Sequence, residues 1–224
     1  MRRAAGVILV CLLLAAVDAV QAQRTPIAPA AGPTALNYAA RDGDLAQVKK
    51  LLAEGANVNA KAQNGATALM WASQSGHPDV VRLLLANGVN IEAKGSNGMT
   101  VLMWASQNGH ADVVQVLLDK EADVNARDTD DWTALMNACL NGHLDAVRLL
   151  LAKGADVNAR AKNGGTALMW AAGKGYRDVV ALLLPKGADV NAVANNGMNA
   201  LKLALDSKEA HPDVVQLLKR AGAR

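Results

Sequence analysis

The sequence predicts an all-α solenoid of six helix-turn-helix units, and three observations carry that expectation. The stretch at residues 65–97 begins again at Gly98, Asp131, Gly164 and Gly197 and traces back to Gly32, a spacing of 33 residues each time. Each copy holds two short apolar patterns of helical period, with glycine between them in the first five. Neither helix can bury its apolar surface inside its own copy, so the copies must stack, and at least about three are needed for stability.

Ahead of the repeats, residues 1–22 read as a secretory signal peptide. Arg2 and Arg3 precede an apolar run at residues 4–17 that is too short to span a bilayer comfortably. Val20, Gln21 and Ala22 then supply a small-residue cleavage pattern that makes Gln23 the first mature residue. A retained membrane anchor is the competing reading. Lipidation is disfavoured, because Cys11 follows Ile8, Leu9 and Val10 rather than small residues. Residues 23–33 form a linker rich in Pro and Ala, with little to bury. The repeat domain is expected over residues 34–224.

Loss of the leader removes Arg2, Arg3 and Asp18, so the net charge of +3 falls to about +2. That balance is too weak to argue for nucleic acid or for an acidic membrane. Cys139 is then the one cysteine left, and a single thiol makes no intramolecular disulfide. It occupies the slot held elsewhere by Ser73, Ser106 and Ala172, which predicts a buried, inert thiol. The expected location is periplasmic or secreted, and the expected state is a monomer.

Within the unit at residues 65–97, Leu69, Ala72 and Ser73 share one small, tight helix face, while Trp71, Gln74 and Ser75 fall on the other side. Thr67 is placed to cap the first helix and Gly76 to end it. The second helix begins near Pro78 and carries Val80, Val81, Leu83, Leu84 and Leu85, with Arg82 outward. Gly88 supplies a left-handed stop. The end units are edited for solvent: Gln47 and Lys50 stand in the Val80 and Leu83 slots, and Lys219 in the Leu85 slot. Glu121 stands where other copies have Gly55, Gly88, Gly154 and Gly187, so a positive φ there costs about 1 kcal/mol.

Thr67-Ala68-Leu69, Gly76-His77, Val80-Val81, Leu83-Leu84-Leu85 and the runs of GADVNA type resemble the ankyrin repeat, over about residues 32–224. The resemblance implies antiparallel helix pairs joined by short projecting hairpin-like loops. It also implies a concave face, built from first helices and loop tips, that binds other proteins. The family's Thr-Pro-Leu-His is altered here, with Ala68, Ala134 and Ala167 at the proline slot and Met70, Met103, Met136 and Met169 at the histidine slot. Apolar Met packing is expected in place of that histidine's hydrogen bonds.

No chemistry of catalysis or metal binding stands out. His77, His110, His143 and His211 occupy one repeated slot, and neighbouring copies about 10 Å apart cannot readily share a metal ion. No phosphate loop, nucleophile elbow or metal-spaced cysteine pair is present. Asp128, Asp130 and Asp131 lack the glycine and distal glutamate of a calcium loop and read as a solvated tip. The expectation is a non-catalytic protein with no cofactor and no metal.

The aromatic residues are more informative. The chain has no Phe, and Tyr38, Trp71, Trp104 and Trp170 fall in one slot of the repeat, opposite the Leu69 position. Gln74, Ser75, Gln107, Asn108, Asn141 and Lys174 flank this row. Asn137 interrupts it in the fourth unit, where Trp132 moves a ring to the loop base near Asp130. One reading is a recognition groove, with rings as anchors and amides bonding a ligand backbone. Slots about 10 Å apart match roughly three residues of extended chain, so the partner is expected to be an extended peptide segment of another protein. The competing reading is that each ring only fills the inner curve of the stack. Other functions left open are an inhibitor or protective subunit of an exported enzyme and a membrane-tethered scaffold.

Overall fold

A computed structural model of the chain describes residues 34–62, 64–206 and 211–224. The expected leader and linker lie outside the described residues. Pro33–Arg224 forms one compact unit. Twelve α-helices are present among the described residues, in six antiparallel pairs. The first helices of the units are α1 (Ala35–Arg41), α3 (Ala68–Ser75), α5 (Val101–Gln107), α7 (Ala134–Leu140), α9 (Ala167–Gly173) and α11 (Ala200–Asp206). The second helices are α2 (Leu45–Ala53), α4 (Pro78–Ala86), α6 (Ala111–Asp119), α8 (Leu144–Ala152), α10 (Arg177–Leu183) and α12 (Pro212–Arg220).

The starts and stops follow the side chains. Thr67 Oγ1 accepts from Met70 N at 3.4 Å, and Thr100, Thr133 and Thr166 repeat that cap at α5, α7 and α9. Gly76 closes α3 with φ of 78°, the left-handed backbone that a Cβ disfavours. Pro185 removes an amide donor, and α10 therefore stops at Leu183 and finishes in a 3₁₀ turn, Leu184–Lys186.

First helices pack against first helices more closely than second helices pack against second helices. The cause is the small face: Ala72, Ala105, Ala138 and Ala171 are fully buried, and Ser73, Ser106, Cys139 and Ala172 lie beside them. Leu84, Leu117, Leu150 and Leu183, also fully buried, hold the second helices farther apart. This asymmetry bends the stack and sets the first helices on its inner side. Met70, Met103, Met136 and Met169 are buried as expected, so apolar packing fills the slot where the family pattern has histidine.

Each loop between units forms a short hairpin-like finger. Ala62 N donates to Ala66 O, Gly95 N to Met99 O, Asp128 N to Trp132 O, Ala161 N to Gly165 O and Ala194 N to Met198 O, all at 2.8–3.0 Å. Adjacent fingers are tied by one backbone bond per junction, such as Thr129 N to Asn97 O at 3.2 Å and Lys162 N to Asp130 O at 3.0 Å.

Two side-chain ladders reinforce the stack. Asn125 Oδ1 accepts from Asp156 N at 2.8 Å while its Nδ2 donates to Gly154 O at 3.2 Å, and Asn158 and Asn191 bridge the next junctions in the same way. The histidine slot makes the second ladder: the Nε2–H groups of His77, His110 and His143 donate to the Arg41, Gln74 and Gln107 carbonyls at 2.9–3.0 Å. Each ring lies so close to the preceding unit that a Cβ at Gly109 would stand 2.4 Å from His143 Nδ1. A structural role for these histidines, expected from their spacing, is what their bonding shows.

Candidate functional site

The candidate site is the inner face formed by the first helices and the fingers. Tyr38 is 43% exposed, and Trp71, Trp104 and Trp170 are half-buried, so all four rings of the expected row reach the surface. They do not form one uniform strip. Tyr38 and Trp71 meet edge to face with centroids 5.8 Å apart, and the Arg41 guanidinium lies 5.2 Å from the Tyr38 ring and 5.7 Å from the Trp71 ring. Arg41 also bonds Asp42 at 2.7 Å, which holds the Asp42 carboxyl below its usual range. Trp104 stands between this end and the other as a ring with no aromatic partner among the described residues.

At the far end Trp132 stacks on Trp170, with centroids 5.0 Å apart and planes 24° from parallel. The ring that the sequence places at a loop base thus gives one face to a neighbour in the fifth unit. Gly165 makes room for the pair, since a Cβ there would meet Trp170 Cζ2 at 2.8 Å. Trp170 Nε1 is buried and has no hydrogen-bond acceptor.

The flanking polar residues divide into two groups. Gln74, Asn108, Asn141, Asp130 and Lys174 are exposed, and Ser75 is half-buried. Asn108 Nδ2 donates to Trp104 O and Asn141 Nδ2 to Asn137 O, both at 2.9 Å, so each amide first serves its own helix end and leaves its oxygen outward. Gln107 Oε1 is buried without a donor, and Asn137 is 7% exposed with Nδ2 donating to Thr133 O at 3.2 Å. Asn137 therefore interrupts the row by leaving a gap, because its amide is folded back on its own helix.

The acidic tip is a turn. Asp128 Oδ1 accepts from Asp130 N at 2.8 Å and from Trp132 N at 2.9 Å, and Asp131 adopts φ of 61° in the slot held by Gly65 and Gly164. Among the described residues no group of His, Cys, Asp and Glu is placed to hold a metal ion. Cys139 is buried, and desolvation pushes its thiol far above the ordinary range, as an inert core thiol requires.

The fingers also carry a ladder of cations. Lys61, Lys94, Arg127 and Arg160 fall in a single slot of the fingers, and all four are exposed. Lys94 Nζ donates to Arg127 O at 2.8 Å, Arg127 Nη1 to Arg160 O at 3.1 Å and Arg160 Nη2 to Val193 O at 2.6 Å. The signal was available in the 33-residue register, but the whole-chain charge conceals it.

Stacked helix pairs with projecting fingers and an open inner face define a class of repeat proteins that act by presenting a surface. The chain matches the family model for ankyrin repeats (3 copies) over residues 4–95, 88–161 and 159–224, and it belongs to the ankyrin-repeat family. No curated protein matches the chain. Ankyrin repeats are generally protein–protein interaction modules, and the family is typically non-catalytic.

Proposed function

We propose that this protein binds an extended peptide segment of a partner protein along its inner face, from the Tyr38–Trp71 end to the Trp132–Trp170 end. The observation that carries the reading is the row of partly exposed rings on four of the first five first helices, broken only at Asn137. Rigid rings bury much area at little entropic cost, which is why they serve as anchors. The outward oxygens of Asn108 and Asn141 and the free amide of Gln74 suit the backbone of an extended chain. Edge-to-face packing of Tyr38 on Trp71 stiffens the row without covering it.

Export of the protein belongs to the same proposal. It is supported by the arginines, apolar run and cleavage pattern of residues 1–22, with the periplasm or the exterior as destination. Among the described residues no helix is long and apolar enough to cross a membrane. The mass of the native protein tests this part, since a chain that begins at Met1 would overturn it. The groove is tested with Trp71→Ala/Trp104→Ala. Loss of a partner captured by the wild type is expected, while unchanged affinity in a variant with intact helical circular dichroism would sink the groove.

A further inference from the structure

Between the fifth and sixth units the inner face opens into a slot of about 170 Å³. Met169, Trp170, Met198 and Leu203 supply its apolar walls, and Asn163 and Asn195 stand at its rim. The volume is small beside the roughly 300–1,000 Å³ of small-molecule pockets. It is close to the about 150 Å³ apolar cavity that holds a benzene. The slot therefore fits one apolar side chain of a larger partner. The unpartnered indole N–H of Trp170 belongs to the same wall.

The finger and the helix end that border the slot carry cations. Arg160 and Lys162 lie on the finger that carries Asn163, and Lys174 caps the C-terminal end of α9 one turn beyond Trp170. All three are exposed, and none has a carboxylate within 4.0 Å among the described residues. Asp42, at the far end, is paired with Arg41, and Asp128, Asp130 and Asp131 crowd the adjacent finger of the fourth unit, whose Asp130 carbonyl accepts from Lys162 N at 3.0 Å.

Resting on the groove reading above, we propose that the docking segment is acidic at this end: it seats a leucine-sized side chain in the slot and sets carboxylates against Arg160, Lys162 and Lys174. The acidic finger limits the negative part of the segment to the fifth and sixth units. That finger also interrupts the path a continuous polyanion would follow, which favours a peptide over a nucleic acid.

The test uses the full chain and labelled twelve-residue peptides with leucine at every third position, flanked by Asp/Glu, by Ser/Gln or by Lys/Arg. An acidic peptide with alanine in place of leucine and a twelve-nucleotide oligothymidylate complete the set. Fluorescence anisotropy is expected to rank the acidic leucine peptide at least tenfold tighter than the neutral one, with the alanine version weakened about as much. Lys162→Glu/Lys174→Glu, a surface change that leaves the circular dichroism intact, is expected to weaken the acidic peptide at least tenfold and to admit the basic one. Equal binding of neutral and acidic peptides overturns the acidic assignment and leaves the groove standing. Indifference to the charge reversal or to loss of leucine overturns the placement in this slot. Oligothymidylate held as tightly as the acidic peptide also overturns it, and binding of no peptide overturns both the slot and the groove.

Discussion

The junction between the second and third units offers the sharpest test of how this solenoid is held together. At that junction Glu92 occupies the slot of Asn125, Asn158 and Asn191, and Glu121 occupies the slot of Gly154 and Gly187. Glu92 Oε1 accepts from Asp123 N at 2.9 Å, as the ladder requires, but a carboxylate has no proton to donate to the Glu121 carbonyl. Glu121 adopts φ of 61°, the positive value that its place in the repeat predicts. A Cβ at Gly88, Gly154 or Gly187 meets nothing within 4 Å, so Glu121 is strained by its backbone alone and not by a clash.

Glu121→Gly is therefore expected to stabilise the chain by about 1 kcal/mol. Glu92→Asn adds one bond of the ladder and contributes about another 1 kcal/mol. For a domain of this size about 1 kcal/mol moves Tm by about 2–4 °C, so the double variant should melt about 4–8 °C higher. The two sites touch the same junction, and a departure of a few tenths of a kcal/mol from additivity is expected. The reciprocal change, Gly154→Glu, should lower stability by about 1 kcal/mol. Thermal unfolding followed by circular dichroism checks all three, with hydrogen exchange expected to show the added protection first at α4 and α6. A Glu121→Gly variant that melts at or below the wild-type temperature would refute the reasoning, because the strain would then be absent or already offset by contacts of the glutamate.

Three further outcomes are expected. Ser73 Oγ and Ser106 Oγ are buried with no partner, in the slot that accepts Cys139 and Ala172, so Ser73→Ala and Ser106→Ala should each raise stability by about 1 kcal/mol in urea unfolding. Gly109→Ala places a Cβ 2.4 Å from the His143 ring at φ of 75°, whereas Gly154→Ala meets open space. The first should therefore lose more than the about 1 kcal/mol of backbone strain that the second loses, and equal losses would count against the histidine ladder. Hydrogen bonds from Gln115 and Lys153 hold the Asp119 carboxyl below its ordinary range. A depressed folded value means that the unfolded chain binds more protons, so this stabilisation is complete above the unfolded pKa and is lost as pH falls through the folded one. Asp119→Asn should thus flatten the decline of urea stability below about pH 4, and an unchanged slope would exclude the pair as a contributor.

Much of the fold is legible because each unit repeats the same short-range signals. Thr67 before an apolar turn, Gly76 after it and Pro78 at the next start fix local backbone directly, and the structure uses each as the residue type dictates. Glu121 was readable for the same reason, since a position that is glycine in other copies implies a positive φ. Asp131 follows the same rule, standing in the slot of Gly65 and Gly164, although the acidic cluster around it reads from the sequence only as a solvated tip. The Asn ladder was not legible, because an asparagine in a polar loop has many possible partners and only the stacked geometry supplies Asp156 N and Gly154 O. The stack of Trp132 on Trp170 escaped for a similar reason: the two rings are in different slots of different units, and no periodicity relates them.

The sequence by itself determined the number of units, their caps, the small face that packs and the slot in which aromatic rings recur, because these depend on residue type at fixed spacing. Tertiary structure decided which rings stay available. Arg41 gathers Tyr38 and Trp71 at one end, Trp132 covers part of Trp170 at the other, and Asn137 turns its amide inward between them. It also brought four cations of the fingers into one line and opened the slot beside the last of them, Arg160, and its neighbours Lys162 and Lys174. Spacing along the chain sets what each unit can contribute, but contacts across a junction depend on how far the stack bends, and that follows from the packing of all the units together.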